Sequence, residues 1–439
     1  MPKTLGLVFF PAFDWAITPT HPEREERLLY TRDQIVEEGL LDLENIREYK
    51  PRLAQIADVE RVHIGVPHIR PLITDAHLVS AGGAIIAAEA VMRREVARAF
   101  ALVRPPGHHA MRVVHGTRGF CTINIEAIMI EYLRRHYGIR KVAIVDTDVH
   151  HGDGTQDIFY HDPDTLFVSF HQDGRTLYPG SGFTDELGSP GALGATINLP
   201  LPPGTTDEGL HYLLDSLILP VLADFQPELV INSAGQDNHY SDPLANMAIT
   251  AQGYARLAEK LNADIAVLEG GYSIEDALPY VNVGIILAMA GLDYSRVIEP
   301  DLSRAPRRQT DRITAYIRQL AADWKERWAN RDRLRREALA RAGDRWQRRR
   351  RIYYDDSGIS EHQEETVRLC KECRGWVTIA TEAEGGNFGH QSAFVAVIPP
   401  VPCAACRREA LDAVHRAKKH GNYNYYYLQD RERDVLAQI

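Results

Sequence analysis

The sequence predicts an α/β fold: a single large domain with a mostly parallel central sheet flanked by helices, followed by two smaller additions. Three observations predict it. Short apolar runs alternate with amphipathic stretches through residues 1–300, the pattern of a parallel sheet covered on both faces. Several of those runs end in small residues and ionisable groups, as the ligand-bearing carboxyl ends of parallel strands do. Beyond residue 300 the composition changes twice, first to an arginine-dense stretch and then to a segment holding four of the five cysteines. The expected division is 1–300 for the α/β domain, 301–355 for an Arg-rich helical linker, 356–415 for a small cysteine-bearing domain and 416–439 for a polar, aromatic tail.

Each element follows from its residues. Leu5-Gly-Leu-Val-Phe-Phe10, Phe100-Ala-Leu-Val103, Val142-Ala-Ile-Val145, Thr165-Leu-Phe-Val168, Leu229-Val-Ile231 and Ile265-Ala-Val-Leu268 read as buried strands. Ala84 to Arg98 and Asp207 to Leu222 read as amphipathic helices. Ile313, Ile317, Leu320, Trp324 and Trp328 recur near helical spacing, which predicts one long helix, or two joined near Gly343, with an apolar stripe for the main domain or a second copy of the chain. Arg348-Arg-Arg-Arg351 is read as a solvated helix end with cations at its negative pole. Contact with nucleic acid is the alternative. Trp376-Val-Thr-Ile379 and Ser392 to Ile398 read as strands.

Composition bounds the function classes. The chain has 439 residues, is 44% hydrophobic and carries a formal net charge of -10, enough for a substantial core and no default partner for nucleic acid. Such a balance attracts cationic amines at long range. Neither a secretory signal nor an apolar run long enough to cross a membrane is evident, and Val281 to Gly291 stops short. A cytoplasmic location is therefore expected.

The chemistry gathers at four strand ends. Asp146-Thr-Asp-Val-His-His-Gly-Asp-Gly-Thr155 crowds five ionisable groups just past one strand, costly without a counter-charge. Asp148 and His150 stand two residues apart, so their side chains point the same way, and a carboxylate with an imidazole suits a zinc-like ion. Arg104-Pro-Pro-Gly-His-His-Ala110 sets two histidines on a stiffened turn, where acid–base work is the sharper reading and a satisfied structural group the blander one. Leu229 to Asp237 ends in a carboxylate, and Ile265 to Tyr272 ends in Glu-Gly-Gly-Tyr. The recurrence weighs more than any one cluster. Further on, Cys370-x-x-Cys373 and Cys403-x-x-Cys406 form two chelating knuckles, a zinc-ribbon pattern for a structural zinc. Two disulfides are the alternative, disfavoured in a cytoplasmic chain. Cys121 stands apart and is expected to be buried.

Taken together, these stretches resemble the histone deacetylase superfamily, which includes acetylpolyamine amidohydrolases and acetoin-utilisation proteins. His21 to Arg27, Ser80 to Gly83, Arg104 to His109, Gly119 to Asn124, Asp146 to Thr155, Tyr178 to Gly182, Ser233 to Asp237 with Asp242-Pro-Leu244, and Glu269 to Tyr272 carry the resemblance in the family's order. It implies an arginase-related α/β domain and a zinc-dependent amidohydrolase acting on acyl-lysine, or on an acetylpolyamine. Asp148, His150 and Asp237 are the implied metal ligands. His109 is the implied base, His108 its partner, and Asp146 and Asp153 the carboxylates that orient them. Tyr272 is the implied oxyanion donor. Gly119, Phe120, Tyr178 and Leu244 line the implied acyl tunnel, and Arg27 marks its inner, product-release end. Ser169 and Phe170 match a stretch that holds potassium in relatives.

The pattern is departed from in places. Asp75, in the loop from Pro67 to Val79, has no clear match to the family's substrate-gripping aspartate, and Gln236 stands where many members carry a small or aromatic residue. His239 is expected at the rim rather than on the metal. No catalytic group is expected beyond Tyr272. A catalytically silent module that binds acyl-lysine or DNA, and an arginase-like enzyme with paired manganese, are the competing classes. The complete chemical set disfavours the first; no ligands for a second catalytic metal are evident for the other.

Overall fold

The computed structural model of the chain describes residues 3–10, 15–18, 20–306, 308–386 and 389–439. Its strands run in chain order as β1 (Leu5–Phe10), β2 (Ile46–Tyr49), β3 (Ile64–Gly65), β4 (Arg98–Val103), β5 (Val113–Val114), β6 (Val142–Asp146), β7 (Thr165–Gln172) and β8 (Thr196–Leu201). There follow β9 (Leu229–Ser233), β10 (Ile265–Val267), β11 (Arg345–Tyr354), β12 (Ile359–Arg368), β13 (Trp376–Gly385), β14 (Gly389–Ile398), β15 (Tyr425–Asp430) and β16 (Val435–Gln438). Eight of them make one sheet in the order β2-β1-β4-β10-β9-β6-β7-β8. Every pairing in it is parallel.

The strands are apolar throughout because both faces are buried. Along β4, Phe100 and Leu102 join one core layer, while Ala99, Ala101 and Val103 join the other. Helices Glu26–Glu37, Ala251–Leu261 and Leu278–Ala290 cover the first face. Helices Asp75–Met92 and Ile125–Tyr137 cover the second. The helix expected from Ala84 to Arg98 thus lies further back. Thr74 forms a capping box with His77 at its start, and Arg94, at φ 58°, turns the chain out of the helix so that Arg98 can open β4. Asp75–Met92 is also long and apolar enough to cross a membrane by length and composition, contrary to the sequence reading. Its Ala81, Ala84, Ile85 and Ala88 are wholly buried against the sheet, which accounts for the apolarity.

The arginine-dense stretch is helical only in part. Helices Asp311–Ala329 and Arg331–Ala342 form, and Ile317, Leu320 and Trp324 pack into the first core layer. The Trp324 indole N–H donates to the Asn198 carbonyl at 3.0 Å. Gly343, at φ 66°, closes the second helix. Arg348–Arg351 then lies in β11, a strand and not a helix end. The physical reason is β12, which pairs antiparallel with β11 and offers acidic partners across the ladder, with Arg349 opposite Glu364 at 2.7 Å and Arg348 on Glu365. Strand alternation turns Arg348 and Arg350 inward onto Asp157 of the α/β unit, at 2.9 and 2.6 Å. Arg349 and Arg351 face solvent.

The C-terminal sheet is larger than a ribbon. Its order is β11-β12-β13-β14-β15-β16, so it absorbs both the end of the expected linker and the tail. All pairings are antiparallel except β14 with β15, and helix Ala404–His420 connects that parallel pair. One face packs under this helix through Ala396, Val414 and Tyr426. The other buries Ile379, Ala393 and Val395 against Ile64 of β3, Val66 just after it, and Val113 of β5.

Candidate active site

Four adjacent strands, β4, β10, β9 and β6, occupy the middle of the parallel sheet. The segments leaving their carboxyl ends carry His108 and His109, Glu269 and Tyr272, Asp237, and Asp148 with His150. This is why residues scattered over 165 positions of sequence meet: parallel strands deliver all their ends to one edge.

Asp148, His150 and Asp237 are buried, and their donor atoms lie within 4.8 Å of one another. His150 Nδ1 stands 3.1 Å from both Asp148 Oδ1 and Asp237 Oδ2. Backbone N–H groups fix the carboxylates: Gly270 donates to Asp148 Oδ2 at 2.7 Å and Val149 to Asp237 Oδ1 at 2.8 Å. Glycine is needed on both sides, since a Cβ on Gly235 or Gly270 would come within 2.1 Å of Asp148 or 2.2 Å of Asp237. Burial and the neighbouring Asp148 push the Asp237 carboxyl up. A cation seated among these groups would relieve that repulsion, so the donor set fits a divalent metal with positions left open.

Beside it stand two His–Asp pairs. His108 Nδ1 meets Asp146 Oδ2 at 3.1 Å and His109 Nδ1 meets Asp153 Oδ1 at 2.8 Å, with the two rings 4.1 Å apart. Their environments differ. Burial works against the His108 cation, but Asp148 and Asp146 outweigh it and raise its pKa. Burial lowers His109, and the charges of His108 and Arg118 lower it further. The two environments push the rings in opposite directions, His108 toward its cation and His109 toward its neutral form. Tyr272 is 7% exposed. Burial raises its hydroxyl pKa, Arg27 opposes the shift and the Asp237 and Asp148 charges add to it, so the hydroxyl keeps its proton to donate. Its backbone N–H is held by Asp242 Oδ2 at 2.7 Å.

The aromatic wall surrounds these groups. Phe120 meets Tyr272 edge-on at 5.6 Å and His21 at 4.3 Å, and Tyr178 meets His109 at 5.1 Å. Arg27 lies over the Tyr272 ring at 5.0 Å and is fully buried, its Nε donating to Gly271 O at 2.8 Å and its Nη1 paired with Glu23 at 2.9 Å. Leu244 is half-buried, and its N–H shares the Asp242 anchor with Tyr272.

The histone deacetylase domain model matches residues 66–283. A probable deacetylase of Archaeoglobus fulgidus is 46% identical over 312 residues, covering 65% of this chain and 85% of that protein. The chain belongs to the histone deacetylase family. An acetylpolyamine amidohydrolase of Burkholderia pseudomallei is 41% identical over 195 residues, 43% of this chain and 56% of that protein. The crystal structure of the HDA15 HD domain superposes with a TM-score of 0.65 at 26% identity, covering 77% of this chain and 99% of that one. With its full set of reactive groups, this family member is an amide-hydrolysing enzyme.

Several residues around the deacetylase site were not assigned a place by sequence reasoning. Glu269 accepts the Gly107 and His108 N–H groups at 2.7 and 3.1 Å, so it shapes the His108–His109 turn; its position in the Glu-Gly-Gly-Tyr motif was the available signal. Arg118 pairs with Asp153 at 2.6 Å and lies 5.3 Å from the Tyr178 ring centre. Asp355 and Asp356, from the turn between β11 and β12, accept the Gly119 and Phe120 N–H groups and the Tyr178 hydroxyl; the sequence reading placed no catalytic group beyond Tyr272 and gave these two no role. His239 is 1% exposed and paired with Ser241 at 2.9 Å and Glu299 at 3.4 Å, so it is a buried structural group and not a rim residue. Asp75 is an exposed first-turn residue of its helix.

The second metal candidate lies in the C-terminal sheet. Cys370, Cys373, Cys403 and Cys406 are free thiols whose sulfurs all lie within 4.8 Å of one another. Backbone N–H groups of Glu372, Gly375 and Cys406 point at Cys370, Cys373 and Cys403 Sγ, at 3.4, 3.3 and 3.4 Å. Such N–H donors favour thiolates, and four converging thiolates fit a tetrahedral zinc.

Proposed function

We propose that this enzyme removes an acetyl, or another acyl, group from acyl-lysine or a related amine by zinc-dependent amide hydrolysis. One observation carries the reading: the buried Asp148–His150–Asp237 set lies beside two His–Asp pairs, His108–Asp146 and His109–Asp153, and the buried Tyr272. A zinc ion held by Asp148, His150 and Asp237 would activate water and polarise the amide carbonyl. The side chains do the rest. His109, with Nδ1 engaged by Asp153, accepts the water proton at Nε2. The Tyr272 hydroxyl donates to the oxygen of the tetrahedral intermediate. His109 then returns its proton to the departing amine, with His108 beside it. Phe120 and Tyr178 grip the apolar stem of the substrate, and Arg27 attracts the carboxylate product at the inner end. The net charge of -10 favours a cationic amine.

An acetylpolyamine is the alternative substrate, favoured by the likeness to the Burkholderia amidohydrolase. The proposal includes a structural zinc on the four cysteines, a potassium ion near Ser169 and Phe170, and a cytoplasmic location in keeping with free thiols. The decisive experiment assays acetyl-lysine peptides, acetylpolyamines and longer acyl amines with zinc-loaded protein, before and after chelation. Activity should vanish on chelation, return with zinc, and be blocked by a hydroxamate. Full turnover in metal-free protein would overturn the mechanism.

A further inference from the structure

The turn between β11 and β12 reaches across to the mouth of the catalytic site. The Phe120 N–H donates to Asp356 Oδ2 at 2.8 Å, and the Gly119 N–H to Asp355 Oδ1 at 3.1 Å. The Tyr178 hydroxyl donates to the same Asp355 oxygen at 3.0 Å, and the Thr117 N–H to Ser357 Oγ at 2.9 Å. Three residues of one turn therefore hold two walls of the tunnel.

What they hold would not stay put by itself. Gly119 and Phe120 lie at φ 51° and 68°, and a bulky side chain in the left-handed region persists only where its surroundings hold it. The approach is also close. A Cβ on Gly119 would come within 2.5 Å of the His109 ring and 2.9 Å of Tyr178, and one on Gly116 within 2.5 Å of Ser357 Oγ. The turn itself is anchored. Tyr354 and Ile359, on either side of it, pack with Met111, Ile352 and Ala383, and the Tyr354 hydroxyl donates to the Val113 carbonyl at 2.9 Å.

We propose that Asp355 and Asp356 are positioning residues for the deacylase tunnel, so that the C-terminal sheet sets the placement of Phe120 and Tyr178 and is a working part of the active site. The inference goes beyond the functional reading and rests on it only for its kinetic arm. Neither carboxylate touches the reacting atoms. They act through the backbone of Gly119 and Phe120 and the hydroxyl of Tyr178.

The test uses full-length, zinc-loaded protein with Asp356→Ala, Asp356→Asn and the double change Asp355→Ala with Asp356→Ala. Amide hydrogen exchange is followed over residues 116–121, together with metal content and the kinetics of a small acetyl-lysine substrate. Loss of a charge-assisted acceptor should speed exchange at Phe120 by about tenfold and raise KM by about the same factor, with kcat and metal content little changed. Asp356→Asn keeps an acceptor oxygen and should recover most of both effects. Unchanged exchange in a folded double variant would overturn the proposal, as would faster exchange with KM and kcat left at their wild-type values. A wild-type protein inactive on every acyl amine would instead sink the deacylase reading, and the exchange arm would decide the positioning role alone.

Discussion

At the scale of single residues, the site is a set of matched environments. Tyr272 and His109 are both buried, and burial pushes each toward its uncharged form, one placed to give a proton and the other to take one. Tyr272→Phe keeps the ring against Phe120 and under Arg27 but removes the donor. We expect kcat to fall by about 10²-fold to 10³-fold with the metal content intact, measured by steady-state kinetics and elemental analysis. Asp237→Ala should instead empty the site. Each of these residues lies a few positions past an apolar run, and its role was legible through the motif resemblance, since parallel strands bring such distant ends together. Asp355 and Asp356 were not. Tyr-Asp-Asp-Ser-Gly reads as a polar turn, and no local pattern says that a turn 236 residues away in sequence accepts the Phe120 N–H.

Among the elements, the parallel sheet was readable, while of the C-terminal sheet only β13 and β14 were anticipated and β11 was misread as helix. Buried parallel strands are continuous apolar runs, whereas β11 and β12 alternate and are filled with charge. Arginine has a good helix propensity, and only the acidic strand beside it settles the run as β11. Ion pairs also bind the two sheets. Burial pushes the Asp162 carboxyl up, but Arg134 and Arg374 pull it further down, to about 2, through contacts of 2.7 and 2.8 Å. A depressed carboxylate stabilises the fold above its unfolded pKa and loses that contribution as pH falls through the folded value. Asp162→Asn should therefore cost on the order of 2 kcal/mol near neutrality. The gap to wild type should narrow between about pH 4 and pH 2, as followed by denaturant unfolding; a gap independent of pH would refute the pairing. The cysteine knuckles follow β12 and β14, and the active-site turn lies at the opposite end of the ten-residue β12, about 30 Å away at strand rise. Cys403→Ser with Cys406→Ser should lower the zinc content from two ions per chain to one. Small-substrate turnover should be retained while the β11–β12 ladder holds. One ion in both proteins would rule out the cysteine site.

Across the whole molecule, the catalytic unit and the C-terminal sheet share a polar and apolar seam. Arg61 pairs with Asp434 at 2.6 Å, Arg431 with Glu131, and Val395 packs against Ile64 and Val66. The seam has a consequence for synthesis. A ribosome releases Tyr272 well before Asp355 and Asp356, and strands β12 to β16 of the supporting sheet follow that turn. A nascent chain thus owns every group from His108 to Tyr272 while its aromatic wall is still unbraced, and the brace arrives with Asp355 and Asp356 and the sheet that carries them. Translation order itself delays a braced aromatic wall until the turn that holds Asp355 and Asp356 has emerged, so a copy truncated before that turn carries the reactive groups without the grip.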